Sequence, residues 1–320
     1  MSRARDPRSA ALRRFGASIT IVTVLGHTVL GFEQSYAAPI LAVLVAYTAE
    51  FTFESTEAWA SRRRPRYLGS VGRLLDFFLP AHISGLACAM LLYAGARLMP
   101  VVSAAVLATA SKYVVRLPVG GRLRHVLNPS NTGIVMVLLL FPWAGVAAQY
   151  QFTEWVPGWW RAVVPLVVLV AGTLLNAKLT RKTPLIMAWL AGFALQAAVR
   201  AVLTDVALPS ALLVMTGAAF VLFTNYMITD PGTTPVRPRN QVVYGLAAAV
   251  VYGLLVGLHL GFALFFALAI VGVGRGLILA ALALRSVLSA GTAATARPVL
   301  VPVGSSAAGP TSDGGQGIMR

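Results

Sequence analysis

Leu127-Asn128-Pro129-Ser130-Asn131-Thr132-Gly133 and Thr229-Asp230-Pro231-Gly232-Thr233-Thr234-Pro235 are two short polar stretches in an otherwise apolar chain. Each sets Asn or Asp directly before Pro, and an apolar run follows each, the second after a short basic segment. Asn and Asp are favoured helix N-caps. Pro suits the first helical position, where its missing N–H has no partner to lose. Both stretches therefore read as the start of a helix or half-helix, with Asn128 and Asp230 as caps and the positive end of a dipole exposed. In a membrane protein such ends hold polar or anionic ligands. The plainer reading is that they cap loops. Two of them on one side of the membrane favour a site.

Working outward, hydrophobic residues make up 58% of the 320 and charged residues 11%, against about 25% charged in a soluble domain. Mean hydropathy is +0.77. Apolar runs recur at the ~17–25 residues that cross a bilayer. The chain reads as an all-α, polytopic membrane protein of about ten transmembrane helices, over residues 15–31, 36–53, 79–96, 99–117, 129–148, 160–177, 184–203, 210–228, 241–257 and 260–284. The transmembrane domain is expected to cover 15–290, between a basic tail (1–14) and a disordered tail (291–320) rich in Ala, Gly, Ser and Pro. Five spans fall in each half, which leaves room for an internal pseudo-repeat. The first run reads as a signal-anchor rather than a cleaved leader.

Charge supports the count. With ten spans, only Arg97, Arg161 and Arg200 of the 26 Lys and Arg residues fall on the outer side. The positive-inside rule then puts both termini, and both polar motifs, on the cytoplasmic side of the inner membrane. The net charge of +16 is explained by these loops, so nucleic acid is not an expected partner. The single cysteine, Cys88, excludes a disulfide framework or a Cys-ligated cluster. His27, His82, His125 and His259 form no close ligand pair, and no metal is expected.

Glu50, Glu54 and Glu57 share one helix face near the end of the second span. Glu54 and Glu57 are expected to reach the headgroups and pair with Arg62–Arg64, with Glu50 deeper. Lys112, Arg122 and Arg124 approach the Asn-Pro motif and read either as topology signals or as a cluster for a phosphate or acidic group. Gly272 to Gly276 reads as a helix-packing stripe.

Asn128-Pro129-Ser130-Asn131-Thr132-Gly133, running on to Phe141-Pro142, resembles the FNPA-x-x-GY…FP segment of the RnfD/NqrB family, membrane subunits of ion-linked redox complexes. Gly120-Gly121-Arg122-Leu123 sits where that family has a Gly-rich loop. Thr216-Gly217-Ala218-Ala219-Phe220 and Met227-Ile228-Thr229-Asp230-Pro231 are similar to its GA-x-F…TDP segment. The resemblance is strongest over residues 111–142 and 184–257. It implies a ten-span, RnfD/NqrB-like fold that binds flavin and passes electrons within the membrane, alongside other redox proteins. One departure is clear. The family's Ser/Thr-Gly-Ala-Thr motif, which accepts covalent FMN, has no counterpart between Trp143 and Trp160, where Thr153 and Tyr150 are the only hydroxyls. No covalent flavin is therefore expected. FMN or riboflavin is expected to bind non-covalently, at Asn128, Asn131, Thr132, Thr229, Asp230, Thr233, Thr234, Arg122, Arg124 and Lys112. Length and composition also resemble the UnbU-type membrane proteins of enediyne biosynthesis. The alternatives to electron transfer are transport of a polar or anionic metabolite and an accessory role beside other proteins of secondary-metabolite biosynthesis.

Overall fold

The computed structural model describes residues 7–29, 32, 34–95, 97–119, 122–146, 158–159, 163, 166, 169–170, 172–174, 177 and 180–295. The expected span at 160–177, Thr153 and most of the expected disordered tail lie outside or largely outside these residues. By internal contacts the chain forms one unit over Met1–Ala280 and another over Ala281–Arg320.

Helices dominate. They are α1 (Pro7–Thr28), α2 (Ala37–Ala60), α3 (Val71–Leu91), α4 (Met99–Val114), α5 (Pro129–Leu140), α6 (Thr183–Leu203), α7 (Leu208–Leu213), α8 (Ala218–Leu222), α9 (Pro238–Gly257) and α10 (Ala263–Thr295). Four short strands, β1 (Leu92–Tyr93), β2 (Arg116–Val119), β3 (Arg122–His125) and β4 (Gly145–Val146), a 3₁₀ turn (Val214–Thr216) and a π-turn (Phe223–Met227) complete the described elements. Strand β1 pairs antiparallel with β4, tying the end of α3 to the segment after α5. The β2–β3 hairpin joins α4 to the Asn128 motif.

Helices α2, α3, α6, α9 and α10 are each long and apolar enough to cross a membrane. A sixth span is made if Leu208–Thr216 and Ala219–Met227 count as one, bent by 64°. The turn at Gly217, with its extended backbone, makes that bend. Apolar side chains such as Ile40, Leu44, Leu195, Val199, Leu254 and Ile278 stand exposed on the outer faces. Covering so much apolar surface calls for lipid, and the fold is an all-α polytopic membrane fold.

Several expected spans are corrected. Helix α5 stops at Leu140, because Phe141 precedes Pro142 and that position disfavours the helical backbone. At 12 residues it is about 18 Å long, short of a bilayer's ~30 Å. Helix α4, with 16 residues, gives way to the hairpin at Arg116. Helix α1 already starts at Pro7, within the expected tail 1–14, and Arg13 on it is paired with Asp76 on α3 at 2.7 Å. Helix α10 runs to Thr295, past the expected boundary at 290.

Helix crossings are held close by small residues. A Cβ on Gly133 of α5 would lie 2.4 Å from the Ala104 carbonyl oxygen of α4. On Gly245 of α9 it would lie 2.7 Å from the Leu185 oxygen of α6. Such backbone contact replaces the hydrophobic drive that lipid removes. Between helices sits a main apolar core that includes Ile19, Leu91, Ile134, Trp189, Phe220, Phe223 and Phe265, with two small alanine-rich clusters beside α2.

Candidate functional site

Asn128 does cap a helix. Its backbone is extended, and its Oδ1 accepts from the Asn131 N–H at 2.9 Å and from Ser130 Oγ at 2.9 Å, with Pro129 in the first turn. Its Nδ2 donates to the Met227 carbonyl at 3.0 Å. Thr132 Oγ1 donates back to the Asn128 carbonyl at 2.8 Å. Asn131 is buried. Its Nδ2 donates to the Phe265 carbonyl at 3.0 Å, while its Oδ1 has no hydrogen-bond partner among the described residues.

Asp230 does not cap a helix, and this part of the sequence reading is corrected. The residues after it form turns, and α9 starts only at Pro238, behind Arg237. Asp230 follows a helix end instead. Residues Phe223–Met227 widen into a π-turn, with the Ile228 N–H donating to the Phe223 carbonyl at 2.9 Å. Asp230 then organises the turn: Oδ1 accepts from the Gly232 N–H at 2.9 Å and Oδ2 from Thr233 Oγ1 at 2.8 Å. Pro231-Gly232 favours a tight turn over a first helical turn, and that local preference wins. The two motifs are thus opposites. The N-terminal, positive end of α5 meets the C-terminal, negative end of the Phe223–Met227 turn, and the two dipole ends compensate each other.

The threonines are also turned inward. Thr229 Oγ1 donates to the Asn225 carbonyl at 2.6 Å, and Thr234 Oγ1 donates to the Asp230 carbonyl. With Thr132 and Thr233 similarly engaged, none of these four hydroxyls has its proton free for a ligand. The motifs meet as a structural joint. Within it, the Asn131 amide oxygen is the one buried side-chain atom of the two motifs left without a partner among the described residues.

Two basic residues outside the candidate set hold the second motif. Lys182 Nζ donates to the Pro235 carbonyl at 2.7 Å, and Arg275 Nη1 to the Thr233 carbonyl at 2.8 Å. Burial pulls Lys182 down from 10.5 to about 8, with Asp230 partly opposing the shift. Gln241 Nε2 adds a bond to the Val236 carbonyl at 3.0 Å. No spacing in the sequence links 182, 235 and 275. The Gly272–Gly276 stripe packs as expected: Cβ atoms on Gly272 and Gly276 would meet Leu127 and Val126 at 3.4 Å.

The acidic stripe on α2 is fully paired. Glu54 accepts from Arg63 and Arg66, each at 2.6 Å, and Glu57 accepts from Arg116 at 2.5 Å and forms an ion pair with Arg63 at 3.2 Å. Glu50 accepts from Lys112 Nζ and, at 3.0 Å, from Tyr113 Oη. Both Glu50 and Lys112 are buried. Lys112 is therefore neutralised inside the bundle and does not form a free cationic cluster with Arg122 and Arg124. A buried carboxylate needs such a partner.

Beside the joint lies an open cavity of about 780 Å³. Its walls carry Glu50, Glu57, Arg63, Arg64, Arg66, Lys112, Tyr113, Arg116, Arg122, Arg124, His125, Pro231 and Gly232. The basic loop after α2, the hairpin and the second motif therefore share one end of this unit. Arg122 and Arg124 reach the cavity from β3. His125 seals one wall: a Cβ on Gly232 would come within 2.9 Å of its Nε2. Arg122, Arg124, Pro231 and Gly232 are brought together here, while Asn131 lies buried in the joint. No described group of His, Cys, Asp or Glu residues is arranged to hold a metal.

Comparison with known proteins places a match on the second half of this architecture. No curated protein matches the chain. The matched stretch contains α6 to α9 and the whole Asp230 motif, and it begins after the Asn128 motif. Residues 145–271, less than half of the chain, match the NQR2, RnfD, RnfE family, and over that stretch the chain is RnfD/NqrB-like.

Proposed function

We propose that the protein is a membrane subunit of a redox complex, relaying electrons through a flavin that it holds non-covalently. The supporting observation is the buried Asn131 amide oxygen, which has no partner among the described residues at the point where the two family-like motifs meet. An unpaired buried acceptor costs on the order of 1–3 kcal/mol, and an N–H donor such as a flavin ring imide would satisfy it. The motif hydroxyls do not fit a ligand donor role, because each already donates within the chain. A bound flavin would supply one- and two-electron chemistry. The chain's own part would be to orient the ring through Asn131, to exclude water with the packed ends of α5 and the Phe223–Met227 turn, and to keep the joint rigid through Asn128.

Purified protein tests this directly. Flavin should be released on denaturation, absent from the denatured polypeptide band, and reduced in content by Asn131→Leu. Colourless protein that takes up neither FMN nor riboflavin would refute the proposal. A second reading, transport of a polar or anionic metabolite, draws on the 64° bend at Gly217 and the short α5, since broken helices serve transporters as binding elements. Uptake into proteoliposomes would favour it over electron transfer.

A further inference from the structure

We propose that Arg64, Arg122 and Arg124 form a phosphate-recognition site at the mouth of the 780 Å³ cavity, for a ligand bearing a phosphate or diphosphate group. The size lies within the ~300–1,000 Å³ of small-molecule sites. Inside it, every carboxylate already has cationic partners: Glu50 binds Lys112, and Glu57 binds Arg116 and Arg63. The remaining three guanidinium groups have no hydrogen bond or ion pair from their side chains among the described residues, and all three are exposed. Topology accounts for basic residues on one side of the membrane. It does not require arginines from two separate loops to converge on one concavity.

The chemistry selects phosphate. Guanidinium forks bind phosphate oxygens through paired, charge-assisted hydrogen bonds. Low-dielectric walls around a cationic cleft focus its field on an entering anion. The inward helix end at Asn128 adds nothing here, because its dipole is met by the Met227 carbonyl. The attraction comes from side chains alone and is therefore removable without disturbing the joint. This inference does not depend on the flavin reading.

The test uses full-length protein in detergent and inorganic pyrophosphate as the probe, followed by calorimetry. Pyrophosphate should bind, more weakly as salt rises. The Arg122→Gln/Arg124→Gln protein and the Arg64→Gln protein should each lose about tenfold or more in affinity. Their melting temperatures should stay at the wild-type value, because these side chains hold no other group. Arg239→Gln, an exposed arginine outside the cavity, should bind as wild type. No binding, undiminished binding in the cavity variants, or an equal loss in Arg239→Gln would overturn the proposal. Two nanodisc arms separate the sources. Pyrophosphate binding that persists in phosphatidylcholine but is lost in phosphatidylglycerol assigns the site to a lipid headgroup. Binding in both assigns it to a soluble phosphorylated solute. Flavin content of the same preparations reports on the redox reading separately.

Discussion

The Asn128 side chain donates from Nδ2 to the Met227 carbonyl at 3.0 Å, bridging 99 residues of chain. The same side chain caps α5 through Oδ1. One residue thus satisfies an orphan N–H at one helix end and an orphan carbonyl at another, where neither finds water.

Asn128→Asp separates the two roles. Aspartate caps as well as asparagine but has no donor for Met227. If the bridge matters, Asn128→Asp loses about 1–3 kcal/mol, and Asn128→Ala loses the cap besides, a further ~0.5–2 kcal/mol. Thermal melting in detergent measures both. An Asp variant that melts with the wild type would reduce Asn128 to a cap.

The Glu50–Lys112 pair is buried, so breaking it from one side strands a charge. Lys112→Met and Glu50→Gln should each destabilise by about 3–5 kcal/mol. The double variant should recover much of that loss, giving a large coupling in a double-mutant cycle. Additive losses would mean that the two side chains act independently.

Lys182 sets a pH dependence. Its folded value, about 8, lies below the ordinary 10.5. Between those values the unfolded chain binds more protons than the folded one, so stability rises with pH across that window. Comparing melting temperatures near about pH 7.5 and about pH 9.5, the wild type should gain relative to Lys182→Met. Parallel profiles would contradict the depressed value.

Gly133→Ala forces a Cβ to within 2.4 Å of the Ala104 carbonyl oxygen. Backbone cannot swing away as a side chain can, so α4 and α5 must part, at about 1–3 kcal/mol. Gly274→Ala meets nothing within 4 Å and should stabilise α10 by up to about 1 kcal/mol. Equal effects at both positions would show that helix propensity, not the α4–α5 crossing, governs position 133.

Topology is open to reporters. Residues 64 and 232 line one cavity, so fusions near 64 and 235 should report the same compartment, the cytoplasm if the positive-inside rule holds. A fusion at 153 should report the other. Opposite signals from 64 and 235 would break the shared cavity.

The sequence by itself determined the class of fold, the place of five of the ten expected spans, the Asn128 cap and the pairing of Glu54 with Arg63. These are decided by composition, by period and by neighbours a few residues away. It misread Asp230, because Asp-Pro suits both a helix start and a turn, and only the helix arriving from Phe223 chose between them. It left Lys112 open between a ligand and a topology signal, because Glu50 lies 62 residues away. Lys182 and Arg275, which hold the second motif, carried no signal at all. What the tertiary structure alone decided is which dipole ends meet, which charges cancel and which arginines remain free, since those follow from desolvation and long-range contact rather than from local pattern.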